Sequence, residues 1–278
     1  MNSIAELLNS ARQQLLNSDT AQLDVELLLC HCLECERSYL FTWPEKQLSD
    51  QHNEHFQKLL ERRIAGEPVA HIIAKRDFWD LTLEVNSSTL IPRPDTETLV
   101  EQALDYFPSG AAAALDLGTG TGAIALALAS EWPSCKLLAV DLNAEAVALA
   151  ERNRVANNIQ NVRFLQSSWF AEIDPGSRFN LIVSNPPYID PIDPHLQEGD
   201  VRFEPLSALI AGDGGMADLK LIVQQAPHYL DSGGYLLLEH GYQQAALVRE
   251  LLSLQGFVDV ASREDIAGHE RISFARWP

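Results

Sequence analysis

The sequence predicts an α/β fold: a mostly parallel sheet of seven strands with helices on both faces, preceded by a small all-helical N-terminal domain. Three observations predict it. From Ala111 onward, short apolar runs alternate with stretches of helical period, the pattern of parallel strands joined by crossover helices. The first of those runs, Ala113-Ala114-Leu115-Asp116-Leu117, enters a glycine-rich turn and then a helix-forming stretch. Before Gly66 the apolar spacing is helical, and no reactive cluster interrupts it.

Taken in order, Ile4, Leu7, Leu8, Ala11 and Leu15 recur at three and four, one face of a first helix. Asp19 or Thr20 suits the cap of a second, whose apolar face includes Val25, Leu28 and Leu29. Pro44 interrupts, and a helix from about Asp50 to Ile64 follows with Phe56, Leu59, Leu60 and Ile64 as its stripe. Gly66-Glu67-Pro68 ends this domain, taken as residues 1–66. Residues 67–90 change period: Ile72-Ile73, Asp77-Phe78-Trp79 and Leu81 to Val85 predict two strands, a hairpin linker. The larger domain, residues 91–278, opens with Ile91-Pro92-Arg93-Pro94-Asp95-Thr96-Glu97. Pro94 suits a first helical position, Asp95 and Glu97 suit a first turn, and that helix runs to about Phe107. Strands are predicted at 113–117, 136–141, 162–166, 179–184, 234–239, 256–261 and 271–276, and helices at 122–131, 144–157, 217–230 and 243–254.

Composition narrows the function classes. The 278 residues carry a net charge of -19. Residues 1–85 hold 8 Lys+Arg against 14 Asp+Glu, and residues 86–278 hold 12 against 25. Such a field repels nucleic-acid phosphates, and no Lys/Arg cluster marks a phosphate track, so no stable nucleic-acid partner is expected. No apolar run approaches the roughly 20 residues of a membrane span. The first residues, Met-Asn-Ser-Ile-Ala-Glu, lack a basic start and an apolar core, so no secretory leader is read there. Cys30, Cys32, Cys35 and Cys135 form no disulfide framework in a chain this long, and a reducing, cytoplasmic setting is expected.

The chemistry collects at strand ends. Gly118-Thr119-Gly120-Thr121-Gly122 is a turn that lets a ligand approach the backbone closely. Gly118, Gly120 and Ala123 even satisfy the dinucleotide pattern, so this loop alone leaves the cofactor open. Asp141 ends the second strand of the domain, where a carboxylate accepts hydrogen bonds from ribose hydroxyls, whether of a nicotinamide cofactor or of S-adenosylmethionine. Trp169, after Gln166-Ser167-Ser168, is read either as a face for adenine or as ordinary core.

The corner Ser184-Asn185-Pro186-Pro187-Tyr188 discriminates between the two cofactors. Two prolines cannot continue a strand ladder, so the chain leaves the sheet just after Asn185. The Asn185 side-chain oxygen and neighbouring backbone carbonyls are neutral acceptors suited to an –NH2 group, with Tyr188 expected to cover a flat one. A hydride transfer needs a hydride partner and a proton donor, and this corner offers neither. An activated methyl group needs only a nucleophile in line at about 3 Å. Loop and corner agree on methyl transfer to nitrogen.

Together Asp116–Gly122, Asp141 and Asn185–Tyr188 resemble a class I S-adenosylmethionine-dependent methyltransferase with a Rossmann-like fold, of the kind that methylates amino or amide nitrogen. The Asn-Pro-Pro-Tyr signature is shared by DNA adenine methyltransferases and by protein glutamine methyltransferases. More of the chain resembles the second group, the release factor glutamine methyltransferases (PrmC/HemK family). The matching parts are Ile91–Glu97, Trp169, Ala208-Leu209 with Asp213-Gly214-Gly215, and Leu238-Glu239-His240-Gly241 with Gln244. The resemblance implies that Gly118, Thr119, Gly120, Thr121, Gly122, Asp141, Trp169 and Asn185 contact S-adenosylmethionine, with S-adenosylhomocysteine as product. It implies that Asn185, Pro186, Pro187 and Tyr188 hold a glutamine side chain, with Asn185, Pro186 and Tyr188 as the catalytic group. Arg93 and Glu97 are placed near the substrate entrance by resemblance alone. The partner implied is a class 1 peptide chain release factor, methylated at the glutamine of its Gly-Gly-Gln motif; the enzyme itself is expected to be a monomer without a metal or a membrane. The helical domain is expected to dock that substrate. A nucleic-acid adenine methyltransferase is the alternative, opposed by the charge. Cys32-x-x-Cys35 with Cys30 and His31 has no second pair at ligand spacing and is read as idle thiols rather than zinc ligands. Glu239 and His240 end a strand near the site and are read as a structural pair or as part of its lining.

Overall fold

The computed structural model describes residues 2–15 and 18–278. By internal contacts the chain divides into Met1–Lys75 with Gln197–Phe203, and Arg76–Leu196 with Glu204–Pro278.

The first unit is helical. Helix α1 (Ile4–Arg12) starts on a capping box, in which Ser3 Oγ accepts from Glu6 N and the Glu6 carboxylate accepts from Ser3 N. Helices α2 (Ala21–Leu33), α3 (Arg37–Thr42), α4 (Asp50–Ile64, capped by Ser49) and α5 (Val69–Ile73) follow. Ile4, Leu7, Val25, Leu28, Leu29, Phe56, Leu60 and Ile72 close its core. Arg63 ties in the separate segment: Nε donates to buried Asp24 at 2.7 Å and a terminal nitrogen to Asp200 at 2.9 Å.

The pair Ile72-Ile73, expected as strand, is helical instead. β-Branched residues favour a strand in isolation, but Ile72 is buried among α2 and α4, and that packing overrides the local preference. The hairpin begins only at β1 (Lys75–Phe78) and returns as β2 (Leu81–Glu84). Phe78, Leu81 and Leu83 are buried in the core of the second unit, so residues 67–90 are not one free-standing linker.

The second unit is the sheet. A 3-10 turn (Pro94–Thr96) leads into α6 (Glu97–Tyr106). Then β3 (Ala113–Leu117), α7 (Ala123–Glu131), β4 (Lys136–Asp141), α8 (Ala144–Ala156), β5 (Val162–Gln166) and β6 (Phe179–Ser184) alternate. After them come α9 (Ala217–Gln225), β7 (Leu230–Glu239), α10 (Ala245–Gln255), β8 (Val258–Glu264) and β9 (Glu270–Arg276). The strand order is β5-β4-β3-β6-β7-β9-β8, with β9 antiparallel to both β7 and β8 and the other pairs parallel. One apolar core lies under α6 and α7 and another under α9 and α10, so both faces are covered.

Several boundaries shift by a few residues, two of them for clear local reasons. Pro227 has no N–H to continue a helix, so α9 stops at Gln225 and a 3-10 turn intervenes before β7. Gly256, at φ 99°, caps α10 and delays β8 to Val258. Among the described residues no helix is long and apolar enough to cross a membrane.

Candidate active site

The chain runs from β3 outward to β4 and β5, then returns to the other side of β3 as β6. That reversal opens a crevice at the carboxyl ends of the strands, where open α/β sheets take ligands. The register brings the two sequence features together there. Leu117 pairs with Ser184, and the Ser184 hydroxyl donates to the Leu117 carbonyl at 2.7 Å. The glycine turn and the Asn185 corner therefore start side by side.

Gly118, Gly120 and Gly122 all have positive φ, at 74°, 54° and 85°. Gly118 and Thr119 both donate backbone N–H to the Val140 carbonyl at 2.9 Å, which folds the turn over the end of β4. A Cβ on Gly118 would stand 3.3 Å from the Trp169 ring, so only glycine lets that ring lie close to the loop. Thr119 Oγ1 donates to Asp116 at 2.6 Å. Asp116 is fully buried, its other oxygen has no hydrogen-bond partner among the described residues, and burial raises its pKa to about 7.

Asp141 is held rigid by backbone donors, Gly120 N at 2.8 Å and Asn143 N at 2.9 Å. Burial still raises its pKa, against those hydrogen bonds. Trp169 follows β5 with φ 50°, and its side chain hydrogen-bonds Asp218. At the corner, Asn185 Nδ2 donates to Thr96 Oγ1 at 3.2 Å, which leaves Oδ1 as the outward acceptor. Arg93 donates to buried Glu204 at 2.6 Å, and Glu204 also accepts from Ile91 N at 2.9 Å.

One cavity unites these groups. Gly118, Thr119, Gly120, Thr121, Asp141 and Trp169 border it from the β3–β5 side, and Asn185, Pro187 and Arg93 from the other. Four expected residues do not border it. Gly122 heads α7, and a side chain there would meet Leu126, Ala150 and Phe164 within 3.3 Å, so its role is packing. Pro186 is buried in the corner itself. Tyr188, expected to cover a flat substrate, does not border this cavity. Its ring packs into the sheet core, its hydroxyl reaches Glu239 Oε1 at 3.4 Å, and its carbonyl accepts from Gln244 Nε2 at 3.0 Å. Burial and the Glu239 charge push the phenol pKa up. Glu97, also outside the cavity lining, accepts from Trp79 N at 3.0 Å and braces the hairpin turn.

Sequence reasoning missed Ser88, Thr89, Thr96, Asn143 and Asp218, which also border the cavity. Asn143 carries a readable signal, since its side chain caps α8 through Glu145 N at 2.9 Å just after the strand bearing Asp141. Thr96 lies inside a segment already singled out. Ser88, Thr89 and Asp218 carry no local signal. Thr89 is buried, and its hydroxyl has no hydrogen-bond partner among the described residues.

The remaining candidates resolve simply. His240 is buried away from the cavity, with Nδ1 on the Gly241 carbonyl at 3.0 Å and Nε2 on Ser273 Oγ at 2.7 Å. Cys30 and Cys32 are buried, with thiol pKa values pushed up to about 12 and about 11 by desolvation, so they are poor nucleophiles. Among the described residues no group of three or more His, Cys, Asp or Glu is placed to hold a metal ion.

Comparison with known proteins agrees with this geometry. Residues 6–73 match the family model of the PrmC N-terminal domain, and residues 95–198 match the methyltransferase small domain. The release factor glutamine methyltransferase of Pseudomonas aeruginosa is 54% identical over 100% of this chain and 99% of its own. The enzyme of that name from Aliivibrio fischeri is 51% identical over 99% of this chain and 98% of its own. Among solved structures, a methyltransferase from Pyrococcus furiosus superposes with a TM-score of 0.55 at 21% identity, covering 79% of this chain and 98% of that one, which shows the fold.

Proposed function

The chain belongs to the release factor glutamine methyltransferase family, and from that premise we propose that it methylates the side-chain amide nitrogen of the glutamine in the Gly-Gly-Gln motif of class 1 release factors. The methyl donor is S-adenosylmethionine and the product S-adenosylhomocysteine. The observation that carries this reading is the β3–β6 register, which sets a glycine turn beside a neutral acceptor corner on one cavity.

The residues fit the donor. The positive-φ glycines put no side chain between the backbone and the cavity, and Gly118 leaves room for Trp169 to offer a flat face to adenine. Asp141, with lone pairs left after its two backbone bonds, accepts from ribose hydroxyls. The buried Thr89 hydroxyl on the same cavity, without a hydrogen-bond partner among the described residues, supplies a further polar contact. When bound, S-adenosylmethionine supplies a methyl group on a positively charged sulfur.

The corner handles the nucleophile. An amide nitrogen is weakly nucleophilic because its lone pair is delocalised into the carbonyl. Asn185 Oδ1 accepts one N–H of the glutamine. We assign the other to the Pro186 carbonyl, bonded directly to Pro187, which does border the cavity. Two neutral acceptors fix the nitrogen in place and favour positive charge as it develops there. No strong general base is required before attack, since a methylated amide nitrogen loses its proton readily afterwards. Arg93, braced by Glu204, stands on the substrate side. The helical unit is assigned to docking the release factor, the enzyme to a monomer, and its setting to a reducing cytoplasm that suits free cysteines.

The test is methyl-labelled S-adenosylmethionine offered to purified release factor, to DNA, and to the enzyme alone. Label on the release-factor glutamine is expected. Label only in DNA, or none in the release factor, overturns the reading.

A further inference from the structure

The Asn185 corner poses a problem of orientation. A carboxamide is nearly symmetric in shape, yet one end accepts hydrogen bonds and the other donates them. A glutamine –NH2 needs the accepting end. Turned over, Asn185 would set its own N–H groups against those of the substrate. Some neighbour must choose between the two orientations.

Thr96 is that neighbour, 3.2 Å from Asn185 Nδ2 and 5% exposed. A hydroxyl accepts and donates equally well, so Thr96 alone would serve either orientation. The group behind it removes the choice. Glu239, at the end of β7, is buried, and its carboxylate faces the Thr96 hydroxyl. Tyr188 donates to Oε1 at 3.4 Å, while Oε2 has no hydrogen-bond partner among the described residues and so keeps spare accepting capacity. A carboxylate only accepts. When ionised it accepts the Thr96 O–H, which leaves Thr96 only lone pairs to offer Asn185, and only Nδ2 can meet lone pairs.

We propose that Glu239 and Thr96 are positioning residues for the methyl transfer: Glu239 commits Thr96 to accept, and Thr96 thereby aims Asn185 Oδ1 at the substrate amide. The inference rests on the glutamine reading of the site. It assigns work to Glu239, which does not border the cavity, and explains why an acid ends β7 beside a neutral corner. Burial raises the Glu239 pKa to about 7, against Thr96 and Arg271 and with Asp95, so the commitment of Thr96 is complete only above about pH 7.

The test uses the full-length enzyme and a purified class 1 release factor, with wild type alongside. Thr96→Val keeps the shape and removes the hydroxyl. Its kcat is expected to fall about 10²-fold, the scale of losing one preorganised polar contact. KM for the release factor should move far less, because the misaimed amide acts on the reacting geometry. Thr96→Ser restores the hydroxyl and should recover most of the lost kcat. Glu239→Gln can donate to Thr96 as well as accept, and a smaller fall of about tenfold is expected. Calorimetric Kd for S-adenosylmethionine should stay within about threefold in every variant, as befits residues that orient the acceptor. If Thr96→Val fails to fold, Glu239→Gln carries the same comparison. An active wild type with Thr96→Val or Glu239→Gln equally fast overturns the inference alone. Thr96→Ser as slow as Thr96→Val also overturns it, since that marks a packing role. A wild type that leaves the glutamine unmodified overturns the parent reading and the inference with it.

Discussion

Replacing Gly215 with alanine is expected to displace the catalytic corner through its backbone. Gly215 has φ +83°, and a Cβ there would stand 2.1 Å from the Tyr188 carbonyl oxygen and 2.8 Å from Gln244 Nε2. Relaxed contacts lie near about 3.5 Å, so the carbonyl and the new carbon must part by about 1.4 Å. Gln244 donates to that same carbonyl at 3.0 Å and holds Gly241 N through its oxygen at 2.9 Å, so the retreat also breaks this clasp. The left-handed backbone costs about 1–2 kcal/mol, the lost hydrogen bond about 1, and the forced packing about 1–3. In a protein this size each kcal/mol moves Tm by about 2–4 °C, which sets the expected fall at about 6 °C or more. Gly233→Ala is the control. Its φ is also +83°, but nothing lies within 4 Å of the added carbon, so only the backbone cost remains. Scanning calorimetry of both variants separates conformation from collision. Since a 1 Å misplacement can cost about 10²-fold in rate, Gly215→Ala should also be slow while Gly233→Ala keeps its rate. Equal Tm values for the two variants, with unchanged turnover, would refute the clasp.

Three further outcomes follow from the site. Asn185→Ala should lower label transfer to the release factor by about 10²-fold or more while Tm changes little, and near-normal methylation would remove the corner from the mechanism. Asp141→Ala should weaken S-adenosylmethionine binding by about tenfold or more, read as Kd by calorimetry, and an unchanged Kd would refute its role. Asp116 carries a pH signature. Its pKa rises from 3.8 to about 7 on burial, so the native state keeps a proton that the unfolded chain has released. The stability this gives is full below about pH 4 and is lost as pH rises through about 7, by roughly 4 kcal/mol at most. Asp116→Asn should flatten the fall of Tm between about pH 5 and 7.5; a curve parallel to wild type would show that Asp116 is not its source.

Much of this was legible in the chain because it depends on period and on backbone chemistry. The strands at 113–117, 136–141, 162–166 and 179–184 stand where alternation placed them, since each is a short, largely apolar stretch bounded by loop-forming residues. The glycine turn and the double proline were readable for the same reason, as both constrain the main chain. What escaped depends on three-dimensional neighbours. Ile72-Ile73 reads as strand until a helical core buries it. Tyr188 reads as a lid until Glu239, 51 residues away, claims its hydroxyl. Glu97 reads as a substrate contact until Trp79 N occupies it. Glu204, which pins Ile91 and Arg93 from more than a hundred residues downstream, has no local signature.

Those omissions share a cause, and it bears on how the site works. The residues with readable motifs are neutral where they meet the reacting groups: glycines, an asparagine, prolines. The carboxylates stand behind them, each occupied with orienting something else. Asp141 holds the N–H groups of Gly120 and Asn143, Glu204 holds Ile91 and Arg93, and Glu239 faces Thr96 and Tyr188. An amide nucleophile attacking a cationic donor needs dipoles aimed in advance more than it needs a base, and buried anions aim dipoles strongly because their surroundings screen them little. A charge placed directly on the amide would compete for its hydrogens without fixing its direction. Placed one residue back, the same charge settles which way a hydroxyl or a carboxamide points, and it does so through contacts that span the sequence. The chemistry of this corner is thus written locally, while its orientation is set by side chains that only the folded sheet brings near.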